Sequence, residues 1–141
     1  MDTLNIWTDG SIEGGNPGGH GASGWVIKGF AQTVFGTKDL GKSPTMTNNI
    51  AEYSAVVGAL EWVVKSVIFG GGWFEKVVIH SDSQLVVNQC NDEWNCSAPA
   101  LSDLRDEVWR LCDKIPVEVV FRWIPREENQ EADEISRSVY E

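Results

Sequence analysis

Leu4-Asn5-Ile6-Trp7-Thr8-Asp9-Gly10-Ser11 is the stretch on which the fold turns. Its first five residues alternate, with Leu4, Ile6 and Thr8 on one face, the period of a half-buried strand. Asp-Gly is a strong turn signal, so the strand is expected to end at Thr8 with Asp9 just beyond it. Seven of the fourteen glycines then fall between Gly10 and Gly24, around Asn16-Pro17-Gly18-Gly19, which reads as a turn-rich loop. Trp25-Val26-Ile27 and Gln32-Thr33-Val34-Phe35 flank Lys28-Gly29-Phe30-Ala31, the pattern of a hairpin. The chain therefore opens with three strands, expected to be antiparallel.

Beyond them Ile50, Tyr53, Val57, Leu60, Val64 and Val67 recur at the spacing of one helix face. Thr47 or Asn48 can cap that helix, and Gly70-Gly71-Gly72 ends it. Val77-Val78-Ile79 is a short apolar strand running into Ser81-Asp82-Ser83, where Ser81 or Asp82 can cap a helix over 84–89. Residues 91–100 read as a loop. Leu101, Leu104, Val108, Leu111 and Ile115 are helically spaced. Val117, Val119, Phe121 and Trp123 share a strand face, Pro125 breaks that strand, and a last helix is expected over 129–140. The order is βββ-α-β-α-α-β-α. Strands interleaved with helices predict an α/β fold, a five-stranded mixed sheet flanked by helices.

A chain of 141 residues and 15.6 kDa suits one domain, spanning residues 1–141. Apolar residues at 42% and charged residues at 23% exclude a disordered tail or a fibre. No apolar run approaches the roughly 20 residues of a membrane helix. The start lacks the basic and apolar regions of a signal peptide, so a cytoplasmic protein without membrane contact is expected. Met1 and a complete last helix point to a free-standing protein, and nothing in the sequence asks for more than a monomer. Cys90, Cys96 and Cys112 are odd in number and form no CxxC pair, which argues for free thiols rather than disulfides or structural zinc. Eleven basic against twenty-one acidic residues give a net charge of −10. Composition alone votes against a binder of nucleic acid phosphates and permits a protein whose carboxylates hold cations.

Asp9 and Asp82 each follow a predicted strand. If both strands run parallel, both carboxylates emerge at one sheet edge, where open α/β sheets place their sites. Glu52 lies in the expected first turn of the long helix, among Ile50, Ala51 and Tyr53, and Asp133 opens the last helix. Singly, these acids read as a turn residue, a cap and two charges near helix starts. Together, four acids at element ends can converge. Packed like charges repel, and hard divalent cations with oxygen ligands relieve that repulsion, magnesium in particular.

The sequence also resembles a known family. Thr8-Asp9-Gly10-Ser11 with Gly15-Asn16-Pro17-Gly18, Thr47-Asn48-Asn49-Ile50-Ala51-Glu52-Tyr53, Ser81-Asp82-Ser83-Gln84 and Arg126-Glu127-Glu128-Asn129-Gln130-Glu131-Ala132-Asp133 are similar to four motifs of type 1 ribonuclease H. They occur in that family's order and span residues 8 to 133. The resemblance implies the ribonuclease H-like fold and an endonuclease that cuts the RNA strand of an RNA–DNA hybrid, leaving 5′-phosphate and 3′-hydroxyl ends. It implies Asp9, Glu52, Asp82 and Asp133 as catalytic, metal-holding carboxylates. Two Mg²⁺ ions about 4 Å apart would clamp the scissile phosphate, with Mn²⁺ as the alternative metal. By the same resemblance Gly10, Ser11, Asn16, Asn48, Ser83 and Gln84 would meet the hybrid, whose 2′-hydroxyls distinguish RNA from DNA.

Two departures stand out. Many bacterial members carry a histidine in the loop before the last aspartate. Here 124–129 has none, leaving Arg126, Glu127 or Glu128 as substitutes, and neither His20 nor His80 is at that place. Larger members carry a basic, aromatic protrusion, whereas 91–113 here holds six acids against Arg105 and Arg110, with Trp94 and Trp109. The chain is thus similar to the bacterial and archaeal members without that protrusion, and weak, metal-dependent binding is expected. The alternatives are another nuclease of the same fold, an inactive adaptor for a basic protein, and the nuclease domain of a larger polyprotein.

Overall fold

The computed structural model describes residues 2–29, 32–70 and 74–141. Strands β1 (Thr3–Glu13), β2 (His20–Lys28) and β3 (Val34–Lys42) come first, followed by helix α1 (Asn48–Ile68). Strand β4 (Lys76–Ser81), helices α2 (Gln84–Cys90) and α3 (Pro99–Asp113), strand β5 (Glu118–Trp123) and helix α4 (Gln130–Arg137) complete the order. One mixed sheet results, ordered β3-β2-β1-β4-β5. β1 pairs antiparallel with β2 and parallel with β4, and β4 pairs parallel with β5. β4 is reached from β3 across α1, and α2 and α3 bridge β4 to β5, crossovers of the length parallel pairing requires. Phe30 and Ala31 of the expected hairpin tip, and Gly71 and Gly72 of the glycine run, lie outside the described residues.

Alternation along the strands sets the two faces. Leu4, Ile6, Ile27, Val77, Ile79 and Phe121 pack with Tyr53, Val56, Leu60 and Val63 of α1 and with Val108 and Leu111 of α3. Burying this many aliphatic side chains, each at roughly 1.5–3 kcal/mol, dominates the stability of the fold. α4 covers the opposite face: a Cβ on Gly24 would collide with the backbone of Ser136. Thr47 caps α1, its hydroxyl accepting from the N–H of Ile50 at 3.2 Å. Ser83, rather than Ser81 or Asp82, caps α2.

Three expectations shift. β1 continues to Glu13, so Asp9 lies inside the strand and not beyond it. β3 runs on to Lys42, although its sequence loses alternation after Phe35; it is an edge strand with little to bury. The last helix is divided, with 3₁₀ turns over Arg126–Glu128 and Ser138–Tyr140 on either side of α4.

Candidate active site

β1 and β4 run side by side in the same direction, with Thr8 opposite Ser81. Their next residues, Asp9 and Asp82, therefore lie side by side where the β1–β4 ladder ends. Gly10 lies on the α1 side of β1, and Asp9, by alternation, on the α4 side. A Cβ on Gly10 would collide with the backbone of Ala51 and Glu52, so the bare glycine lets α1 descend onto the strand. Glu52, one turn inside α1 rather than in its first turn, then reaches past β1. Its Oε1 accepts from the Gly10 N–H at 2.6 Å, and Asp9 Oδ1 accepts from the same N–H at 3.0 Å.

Carboxylate oxygens of Asp9, Glu52 and Asp82 lie within 4.8 Å of one another. Asp133 stands in the wall of the same cleft, of about 320 Å³, with Arg126 and Arg137. It sits outside the tight triad, its Oδ1 accepting from Arg137 Nε at 3.0 Å.

Burial is the first cause of the altered acidity here. It raises the Asp9 carboxyl to about 7, with the charges of Asp82 and Asp133 adding to the effect. Glu52 is raised well above its usual range by burial and then by Asp9. Asp82 is raised by burial, against the lowering effect of Asn129 and Arg126. Glu52 Oε2 is buried with no hydrogen-bond partner. An all-oxygen donor set of three close acids, one with an orphaned oxygen, fits a hard divalent cation such as Mg²⁺.

A family profile described as reverse transcriptase-like matches residues 8–139. The chain is 32% identical to a ribonuclease H of Chlorobium phaeobacteroides over 123 residues, 85% of this chain and 69% of that protein. The chain belongs to the ribonuclease H family. The ribonuclease H1 of the halophilic archaeon Halobacterium salinarum superposes with a TM-score of 0.80 at 29% identity, covering 98% of this chain and 97% of that one. LC11-RNase H1, solved in complex with an RNA/DNA hybrid, gives 0.82 at 28% identity over 96% and 94% of the two chains. Several curated relatives are longer: the match covers 39% of the uncharacterized protein YpeP of Bacillus subtilis.

Around these acids lie the other residues singled out by sequence. Gly10, Ser11 and Asn48 line the acidic cleft. Asn16 sits at its approach, its Oδ1 accepting from the Asn48 N–H at 3.2 Å. Gln84 is exposed at the start of α2, two residues from Asp82. Ser83 spends its hydroxyl on the α2 cap, and the Gly10 N–H is taken by carboxylates. Of the three substitutes for the missing loop histidine, Arg126 lines the acidic cleft, Glu127 shares a hollow with Arg126 and Asp133, and Glu128 faces a neighbouring hollow beside Trp7 and Lys28. His80 is structural, stacked on Trp7 at 4.8 Å and bonded to Asn5. His20 pairs with Asp39 at 2.5 Å.

Three residues of the site carried no separate signal in the sequence. Arg137 holds Asp133 from the next helical turn. Tyr140 donates its one hydroxyl proton to the His20 carbonyl at 2.8 Å, so Ser11 must be the donor in the 3.0 Å Ser11–Tyr140 bond. Ser11 thereby faces the cleft as an acceptor. The third, Asn129, joins β1 to β4.

The raised acids link pH to stability. A carboxyl with a folded-state pKa of about 7 keeps a proton that the unfolded chain releases near 4. Metal-free protein is therefore expected to lose stability as pH rises from about 4 to 7. Between pH 5.5 and 8 in EDTA the loss should be on the order of 2 kcal/mol, read as a falling melting temperature. Mg²⁺ at pH 8 should reverse it.

Proposed function

We propose that this chain is an endoribonuclease that hydrolyses the RNA strand of an RNA–DNA hybrid, leaving 5′-phosphate and 3′-hydroxyl ends. Residues 1–141 act as one ribonuclease H domain, a monomer working in the cytoplasm. The observation that carries this reading is the convergence of Asp9, Glu52 and Asp82 oxygens within 4.8 Å, in a member of the ribonuclease H family. The hybrid-bound LC11 neighbour supports the substrate. Among the described residues no helix is long and apolar enough to cross a membrane.

Asp9, Glu52, Asp82 and Asp133 would hold two Mg²⁺ ions, or Mn²⁺. Bound there, the ions supply a water of lowered pKa and Lewis-acid stabilisation of charge on the phosphate and the leaving oxygen. The protein's own part is positioning. Gly10 N–H orients two carboxylates at once. Ser11, as an acceptor, suits a donor such as a ribose 2′-hydroxyl. Asn16, with its oxygen committed to Asn48, offers its amide N–H to the hybrid, and Gln84 offers both amide atoms. Arg126 and Arg137 place positive charge beside Asp133, where a phosphate leaves the acidic cluster.

Cleavage of an end-labelled RNA–DNA hybrid with Mg²⁺, Mn²⁺ or EDTA, beside single-stranded RNA and duplex DNA, tests the proposal. Metal-dependent cutting of the hybrid's RNA strand is expected. A folded sample that cuts nothing with either metal refutes the activity and favours the adaptor reading. Gln84→Ala should lower kcat/KM about 3- to 10-fold, the loss of roughly one hydrogen bond and far less than the loss of an acid.

A further inference from the structure

We infer that Asn129 is a positioning residue that locks the carboxylates of β1, β4 and α4 into the spacing a divalent cation needs. This rests on reading the acidic cluster as a metal site. Asn129 occupies the N-cap position of α4, where an asparagine ordinarily spends its side chain on the helix's free N–H groups. Here it makes no such bond. It is 1% exposed, and its Nδ2 instead donates to the Thr8 carbonyl at 2.9 Å and, more weakly, to Asp82 Oδ2 at 3.4 Å. Its own carbonyl accepts from the N–H of Asp133 at 3.1 Å.

One residue thus touches three of the four acids or their immediate supports. Thr8 fixes the strand at Asp9, the amide holds the Asp82 carboxylate directly, and the main chain sets the first turn carrying Asp133. The amide's orientation is forced, because both neighbours of Nδ2 are acceptors; turned over, Oδ1 would face two oxygens. Oδ1 is left buried with no partner. An asparagine that gives up its cap and leaves an acceptor unpaired is placed for geometry at the site rather than for helix stability. Partners that orient metal ligands typically change affinity or activity 10- to 100-fold when removed.

Mn²⁺ binding measured calorimetrically on the full chain without nucleic acid, alongside kcat and KM on the hybrid, tests the role. Asn129→Ala is expected to weaken Mn²⁺ binding and lower kcat, each by about 10-fold or more, with KM within about twofold. Asn129→Leu, which retains the branched bulk but has no donor, should show the same losses and serves if the alanine variant does not fold. Tyr53→Phe is the control. It removes a buried 2.6 Å bond to Gln89 in which none of the four acids takes part, and should lower the melting temperature while leaving Mn²⁺ affinity unchanged. Mn²⁺ affinity and kcat within twofold of the parent, or losses matched by Tyr53→Phe, overturn the inference. Parent protein that binds Mn²⁺ yet cuts no hybrid refutes the proposed activity alone, and the Mn²⁺ titration still decides Asn129. Parent protein that binds no Mn²⁺ overturns both.

Discussion

Asp9→Asn is expected to reduce hybrid cleavage by about 10³-fold or more, with the fold intact. The size follows from the several kcal/mol of charge stabilisation that a correctly held metal contributes, at about 1.4 kcal/mol per tenfold. Asparagine preserves the shape of the side chain, and its Oδ1 can still accept from the Gly10 N–H, so the local backbone has no reason to move. What is lost is one negative charge among three acids whose oxygens crowd within 4.8 Å. In metal-free buffer at pH 8 that loss relieves repulsion and desolvation. The variant should melt higher by on the order of 1–2 kcal/mol, or about 5 °C, and should show a flatter dependence of melting temperature on pH. Asp82→Asn should behave alike in activity. Its gain in stability should be smaller, because Asn129 and Arg126 already favour the charged Asp82. Cleavage retained in either variant, measured on a folded sample with Mg²⁺, would sink the assignment of these acids to metal.

The opposite movement of activity and stability also separates the enzyme from an acidic adaptor. A surface that merely attracts a basic protein has no need to bury its carboxylates. Asp9 and Glu52 are 5% and 4% exposed, and burying them charged costs stability that a proton or a cation offsets. The net charge of −10 is then two things at once. A few acids at the sheet edge are positioned by the fold. The remainder, including the six on 91–113, are solvated surface of little energetic consequence.

How the sequence spoke depended on how far apart the interacting residues lie. The five strands and their order along the chain were legible because alternation and apolar runs are local signals, whereas the parallel pairing of β1 with β4 that sets Asp82 beside Asp9 entered only as a condition. The end of β1 was misplaced for an instructive reason. Asp-Gly reads as a turn, yet Gly10 is there to admit the backbone of α1, and a glycine needed for close approach looks the same as one needed for a bend. Glu52 falls just past the first turn because Thr47, the earlier of the two expected caps, starts the helix. β3 was read short because, as an edge strand exposed on much of its length, it carries no apolar alternation after Phe35. Arg137 and Tyr140 were beyond reach as functional residues, and the motif that contains Asn129 names no role for it. Asn129 bonds to Thr8 across 121 positions and Tyr140 to Ser11 across 129, and no pattern within one element encodes either.

The close approach at Gly10 carries the second large expected effect. In Gly10→Ala the new methyl would occupy the space of the Ala51 and Glu52 main chain, which cannot yield as a flexible side-chain tip can. α1 must then lift from β1, disturbing the Gly10–Glu52 bond and the Ser23 hydroxyl's 2.7 Å bond to the Ala51 carbonyl. A cost of about 3 kcal/mol is expected, lowering the melting temperature by about 10 °C. Activity should fall further than stability accounts for, because Glu52 rides on the displaced turn while Asp9 stays with the strand. Kinetics at a temperature where the variant remains fully folded isolate that part. A drop of about 100-fold or more in kcat is expected there, the effect of an ångström's misplacement of a reacting group. Full activity at such a temperature would mean that the helix shifts without carrying Glu52 away, and that the bare glycine serves packing alone.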